Sequence, residues 1–161
     1  MKRTMILLAL VAVVALMTQP VFAQATATQT VNLTVNSIYK LAVSGSPGAL
    51  TISDMAVGAS SASTSDASTN YSMTTNVANS RITAQLSSAL PSGLTLTIAL
   101  VGGNGTSAGA VDITDGTAKN VVTAIARGAS NGQTITYNFT ADASAGAVNE
   151  SRTVTLTLTN P

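Results

Sequence analysis

The chain predicts an all-β fold, a single antiparallel sandwich, and three observations carry that expectation. Apolar residues alternate with Thr, Ser and Asn at period two in one segment after another, which is the pattern of half-buried strands. Clusters of Gly, Pro, Asn and Asp separate these segments at intervals of about 8 to 12 residues, the spacing of a sandwich. No stretch after residue 23 offers a capped apolar stripe at helical period. Together they imply about 8 to 10 short strands in an Ig-like or jelly-roll-like arrangement.

The first 23 residues stand apart. Lys2 and Arg3 precede an apolar run from Met5 to Met17, and Thr18 to Ala23 follow, with Val21 and Ala23 as small side chains ahead of Gln24. This is the make-up of a cleaved secretory signal peptide. The run is shorter than the roughly 20 residues a membrane-crossing helix needs, so no membrane span is expected in the mature form. Gln24 to Thr30 is small and polar and reads as a flexible leader; residues 31–161 read as the sandwich domain.

Within that domain four segments alternate most regularly. Val31, Leu33 and Val35 alternate with Asn32, Thr34 and Asn36; Leu94, Leu96, Ile98 and Leu100 alternate with Thr95, Thr97 and Ala99. Ile135, Tyr137 and Phe139 do the same among Thr134, Thr136, Asn138 and Thr140, as do Val154, Leu156 and Leu158 among Thr153 to Thr159. Further strands are expected at residues 38–43, 49–53, 71–76, 81–86, 110–114 and 120–125. Turns are expected at Ser46-Pro47-Gly48, Pro91-Ser92-Gly93, Gly102 to Gly105, Asp115-Gly116 and Asn131-Gly132, where Gly supplies positive φ and Pro fixes negative φ. Gly58 to Thr69 is almost wholly Ser, Ala, Thr and Gly. It has little apolar surface to offset backbone ordering, so a mobile loop is expected there.

Composition narrows the chemistry. The chain has no Cys, no His and no Trp, and charged residues make up 8% of it against 45% hydrophobic. A Ser-His-Asp triad, a thiol nucleophile, a thiolate or imidazole zinc site and a disulfide framework therefore cannot be built. Glu150 is the only Glu, which leaves a glycosidase pair to scattered Asp residues. No catalytic residue, metal ligand or cofactor is assigned, and the chain is not expected to be an enzyme. A net charge of +1, or about −1 once the first 23 residues are removed, offers no phosphate-binding footprint, so nucleic acid is not expected as a partner.

Two binding modes remain. Val31, Leu33 and Val35 could form the inserted face of a strand added to a neighbour's sheet, with main-chain hydrogen bonds for affinity and alternate side chains in pockets for register. The alternative for this segment is pairing within its own sandwich. Exposed aromatics at Tyr39 and Tyr71, with the loops at Gly102 to Gly109 and Gly58 to Thr69, could instead serve a glycan or a protein surface. Tyr137 and Phe139 read as core by their alternation. Asp112 and Asp115 beside Gly116 read as an Asx-type turn rather than a calcium site.

The layout of a Sec-type leader, the Val31-Asn32-Leu33-Thr34-Val35 segment, Pro91-Ser92-Gly93-Leu94-Thr95-Leu96 and the Arg152 to Leu158 strand resembles small prokaryotic surface β-sandwich proteins, including pilin-like and biofilm-fibre subunits. The chain lacks the Cys pair of chaperone-usher pilins, the long N-terminal helix of type IV pilins and a Trp-x-Leu wall-binding signature. The resemblance implies a secreted or surface-displayed structural protein, extracellular or periplasmic, that self-associates or joins another surface protein by strand addition. The alternative is a monomeric extracellular binding module.

Overall fold

Strands form where flanking Thr and Ser leave one apolar face free to pack, and the computed structural model, which describes residues 25–160, contains nine strands and no helix among them. They are β1 Tyr39–Val43, β2 Ser61–Thr75, β3 Ser80–Leu86, β4 Leu94–Leu100, β5 Thr106–Ser107, β6 Val111–Asp112, β7 Lys119–Ile125, β8 Gly128–Asp142 and β9 Val154–Thr159. All pairings are antiparallel. One sheet has the order β1-β2-β8-β4-β6 and the other β5-β7-β3-β9. The all-β antiparallel sandwich expected from alternation is the fold observed.

The core lies between the sheets. Leu94, Leu96, Ile98 and Leu100 of β4 are buried while Thr95, Thr97 and Ala99 between them are half-exposed, so the alternation translates directly into two faces. Ile82, Ala84 and Leu86 of β3 and Val121, Val122 and Ile125 of β7 meet them from the second sheet, with Tyr71, Met73, Ile135 and Tyr137 completing the interior. The chain crosses between sheets at residues 76–79. There the Thr75 hydroxyl accepts from the Val77 N–H at 3.1 Å, the Ser80 hydroxyl donates to the Val77 carbonyl at 2.8 Å, and Asn79 takes φ +60.

Several expectations are corrected. Residues 31–36, expected as a strand, belong to no strand, and the chain divides into the units Met1–Val35 and Asn36–Pro161. The sandwich thus begins at residue 36 rather than 31. Alternation shows that a segment can be a strand; it does not supply a partner. The signal-peptide reading lies outside the described residues.

Ser61 to Thr69, expected as a mobile loop, is the first half of β2. It pairs with β8 from Ser61↔Asp142 to Asp66↔Tyr137, so ladder hydrogen bonds to a long neighbour supply the ordering that its small side chains do not. A bulge at Ala67–Ser68 flips the inward phase from Thr64 and Asp66 to Thr69, Tyr71 and Met73. The Asp66 carboxylate secures it by accepting from the Ser68 hydroxyl at 2.8 Å and from the Ser68 N–H at 3.1 Å, and these bonds hold its pKa below the ordinary value.

With 15 residues each, β2 and β8 are not the short strands expected. Asn131-Gly132 is a distortion inside β8, not a turn, and lies where the β2–β8 register shifts. Ala49 to Ser53 forms no strand; it belongs to the unpaired connection between β1 and β2.

Candidate functional site

The two sides of the sandwich are finished differently. On one side the sheet edges are β5 and β6, two residues each, which present little unpaired backbone. Gly102 to Gly105 closes that side tightly. Gly105 N–H donates to the Gly102 carbonyl at 2.9 Å, and a Cβ at Gly105 would stand 2.7 Å from Ile125 Cγ1, so only Gly fits.

On the other side the edges are β1 and β9. β1 pairs only with β2, and β9 pairs only with β3. At one end of this side, where Leu41–Val43 of β1 and Val154–Leu156 of β9 give way to the connections 45–55 and 143–153, lies an open cleft of about 1490 Å³. Its floor holds Leu86, Leu94, Leu96 and Tyr137. Its walls carry Leu41, Leu50, Leu90, Phe139, Val154 and Leu156, six of the eight apolar residues that pack against the core while staying only partly buried. The hydrophobic interior is therefore incompletely covered along this one seam. A pocket for a drug-sized molecule encloses about 300–1,000 Å³, so the cleft suits an extended chain segment better than a compact ligand.

Polar groups in the cleft fit the same description. Thr69 is 4% exposed, and its hydroxyl has no hydrogen-bond partner among the described residues. Glu150 and Arg152 form an ion pair in the connection between β8 and β9, and Thr153 N–H donates to the Ser87 hydroxyl at 3.2 Å. β9 itself, Val-Thr-Leu-Thr-Leu-Thr, has no charge and no Pro to discourage edge pairing, whereas β1 carries the exposed Lys40.

The sequence-predicted residues are distributed unevenly around this geometry. Val31, Leu33 and Val35 are 70%, 88% and 81% exposed, and no side chain from residue 25 to 38 is buried. Just beyond them, Asn76 grips the chain where it approaches β1: Ile38 N–H donates to Asn76 Oδ1 at 2.7 Å, and Asn76 Nδ2 donates to the Asn36 carbonyl at 2.8 Å. The side-chain amide copies a strand neighbour and keeps residues 36–38 leading into β1.

Tyr71 is corrected as a ligand contact. It is 1% exposed, its hydroxyl donates to the Val101 carbonyl at 2.5 Å, and burial pushes its pKa up. Tyr39 is half-buried and pairs with Thr75, while Tyr71 pairs with Val43, so four strand positions, about 13 Å, separate the two rings' backbones. They form no shared aromatic platform. Tyr137 is core as expected; Phe139 is instead a wall of the cleft.

Asp112 and Asp115 are committed to Asx turns, accepting from Thr114 N–H at 2.8 Å and Thr117 N–H at 2.9 Å, and Asp115 also binds Lys119 at 2.6 Å. Alternation does not reveal the cleft, because it marks Leu41, Phe139, Val154 and Leu156 as inward-facing without showing that they stay only partly buried. No protein-family model, no curated protein and no solved structure matches this chain.

Proposed function

We propose that the chain is an exported structural protein, secreted or displayed at the surface, that assembles as a fibre-like or pilus-like subunit by β-strand addition through its N-terminal segment. The observation that carries this reading is the state of Val31, Leu33 and Val35: an uncharged, alternating apolar row that belongs to no strand and stands almost fully exposed. Burying side chains of this kind contributes about 1.5–3 kcal/mol each, and docking in a sheet adds main-chain hydrogen bonds of about 0.5–1.5 kcal/mol each. Export is supported by the composition of residues 1–23, and among the described residues no helix is long and apolar enough to cross a membrane.

The test compares the full chain with Leu33→Asp by size-exclusion chromatography and electron microscopy. The parent is expected to form multimers, and the variant to run as a monomer with an unchanged circular dichroism spectrum, because an apolar pocket rejects a carboxylate. A parent that stays monomeric at high concentration, or a variant that assembles as the parent does, overturns the reading.

A further inference from the structure

We propose that the acceptor for this strand is the cleft between β1 and β9, and that its occupant is residues 30–36 of a second copy of this chain, laid along the free edge of β9. The inference rests on the strand-addition reading and names the surface that completes it.

Three features select this surface over the other edges. β5 and β6 are two residues long and cannot template a five-residue ladder, while β9 offers six residues with an unpaired edge, the first three of which, Val154 to Leu156, line the cleft. The cleft is where the interior lacks cover, and Val31, Leu33 and Val35 supply apolar side chains at the period-two spacing that a strand beside β9 would direct toward Leu156 and Phe139. The segment from Gln24 to Asn36 is uncharged, as is β9, so the two strands bring no charge to their shared ladder; the charges that line the cleft, Asp142 and the Glu150–Arg152 pair, lie at the end of β8 and in the connection before β9.

A second copy fits better than the chain's own segment. Val31, Leu33 and Val35 are exposed, and Asn76 ties Asn36 and Ile38 to the entry into β1, so the row is left available to another molecule. Donor and acceptor are then different surfaces of one molecule, a head-to-tail contact that propagates into an open filament unless the rotation closes a ring.

Leu156→Asp spoils the acceptor while leaving the donor intact, and Leu33→Asp does the reverse. Each alone is expected to lose multimers, and an equimolar mixture is expected to stop at a two-copy species with a single functional junction. Folding of both is checked by circular dichroism. Since Leu156→Asp can also weaken the core, a second measurement uses the absence of native cysteine. Chains bearing Val31→Cys, Leu33→Cys or Val35→Cys are mixed with chains bearing Leu156→Cys or, on the opposite edge, Val111→Cys, and oxidised. A disulfide-linked dimer with Leu156→Cys and not with Val111→Cys is expected.

If Leu33→Asp still assembles, strand addition itself fails and the acceptor with it. If Leu33→Asp is monomeric while folded Leu156→Asp assembles like the parent, or cross-links form equally at both edges or only at Val111→Cys, the acceptor is elsewhere and strand addition stands.

Discussion

Asp115 shows how a short polar loop sets its own electrostatics. Its carboxylate accepts from the Lys119 ammonium, then from the Thr117 N–H and hydroxyl, and these bonds lower its pKa from the ordinary 3.8 to about 2. A depressed folded-state pKa means that the contribution to stability is complete above the unfolded-state value and is lost as pH falls from about 4 to about 2. Thermal melts over that window should therefore show a steeper loss for the parent than for Asp115→Asn. Equal slopes would remove the loop from the acid response. Asp-Gly signalled the turn at this position, but the lysine four residues on became a partner only because the loop turns back on itself.

β7 carries the clearest local distortion. Ala124 lies in the left-handed region at φ +51, Val121 and Val122 are both buried, and the β3–β7 register shifts twice along its length. The shift between Asn120 and Val122 lets two successive valines reach the core, while the shift between Val122 and Ile125 holds Ala124 in a conformation that an L residue adopts at a cost of roughly 1–2 kcal/mol. Ala124→Gly should raise stability by up to about 1 kcal/mol, since relief of that strain exceeds the entropy lost by Gly. Ala124→Val should lower it by about 1–2 kcal/mol despite the strand preference of Val, because a β-branched residue fits poorly at positive φ. Denaturant melts decide between this and simple strand propensity, which ranks the two substitutions the other way.

β4 and β9 follow period-two alternation closely, and β1, β3 and β7 differ from the expected spans by one residue. The errors cluster where pairing overrode local preference. Ser61 to Asp66 had no apolar residues larger than Ala to announce a strand, yet β8 runs alongside it. Residues 31–35 had every local mark of a strand and no partner.

The sandwich with its open seam is predicted to be stabilised by its own copies. If strand addition covers the partly buried side chains of the cleft, binding to the folded state alone must raise the melting temperature with protein concentration. Calorimetry across a hundredfold concentration range should show that rise for the parent and a concentration-independent midpoint for Leu33→Asp. A flat midpoint in both would mean that the seam gains nothing from association.

Sequence alone determined what depends on neighbours along the chain: the all-β class, the inward and outward faces of most strands, the main turn positions, and the exclusion of thiol and imidazole chemistry. Tertiary structure decided what depends on neighbours in space. It chose which strand edges pair, brought β1 and β9 to the same side of the sandwich, buried Tyr71, and left Val31, Leu33 and Val35 outside the sheets. The physical reason is that alternation specifies which face of a strand seeks burial, whereas strand pairing is a long-range choice that no local pattern encodes.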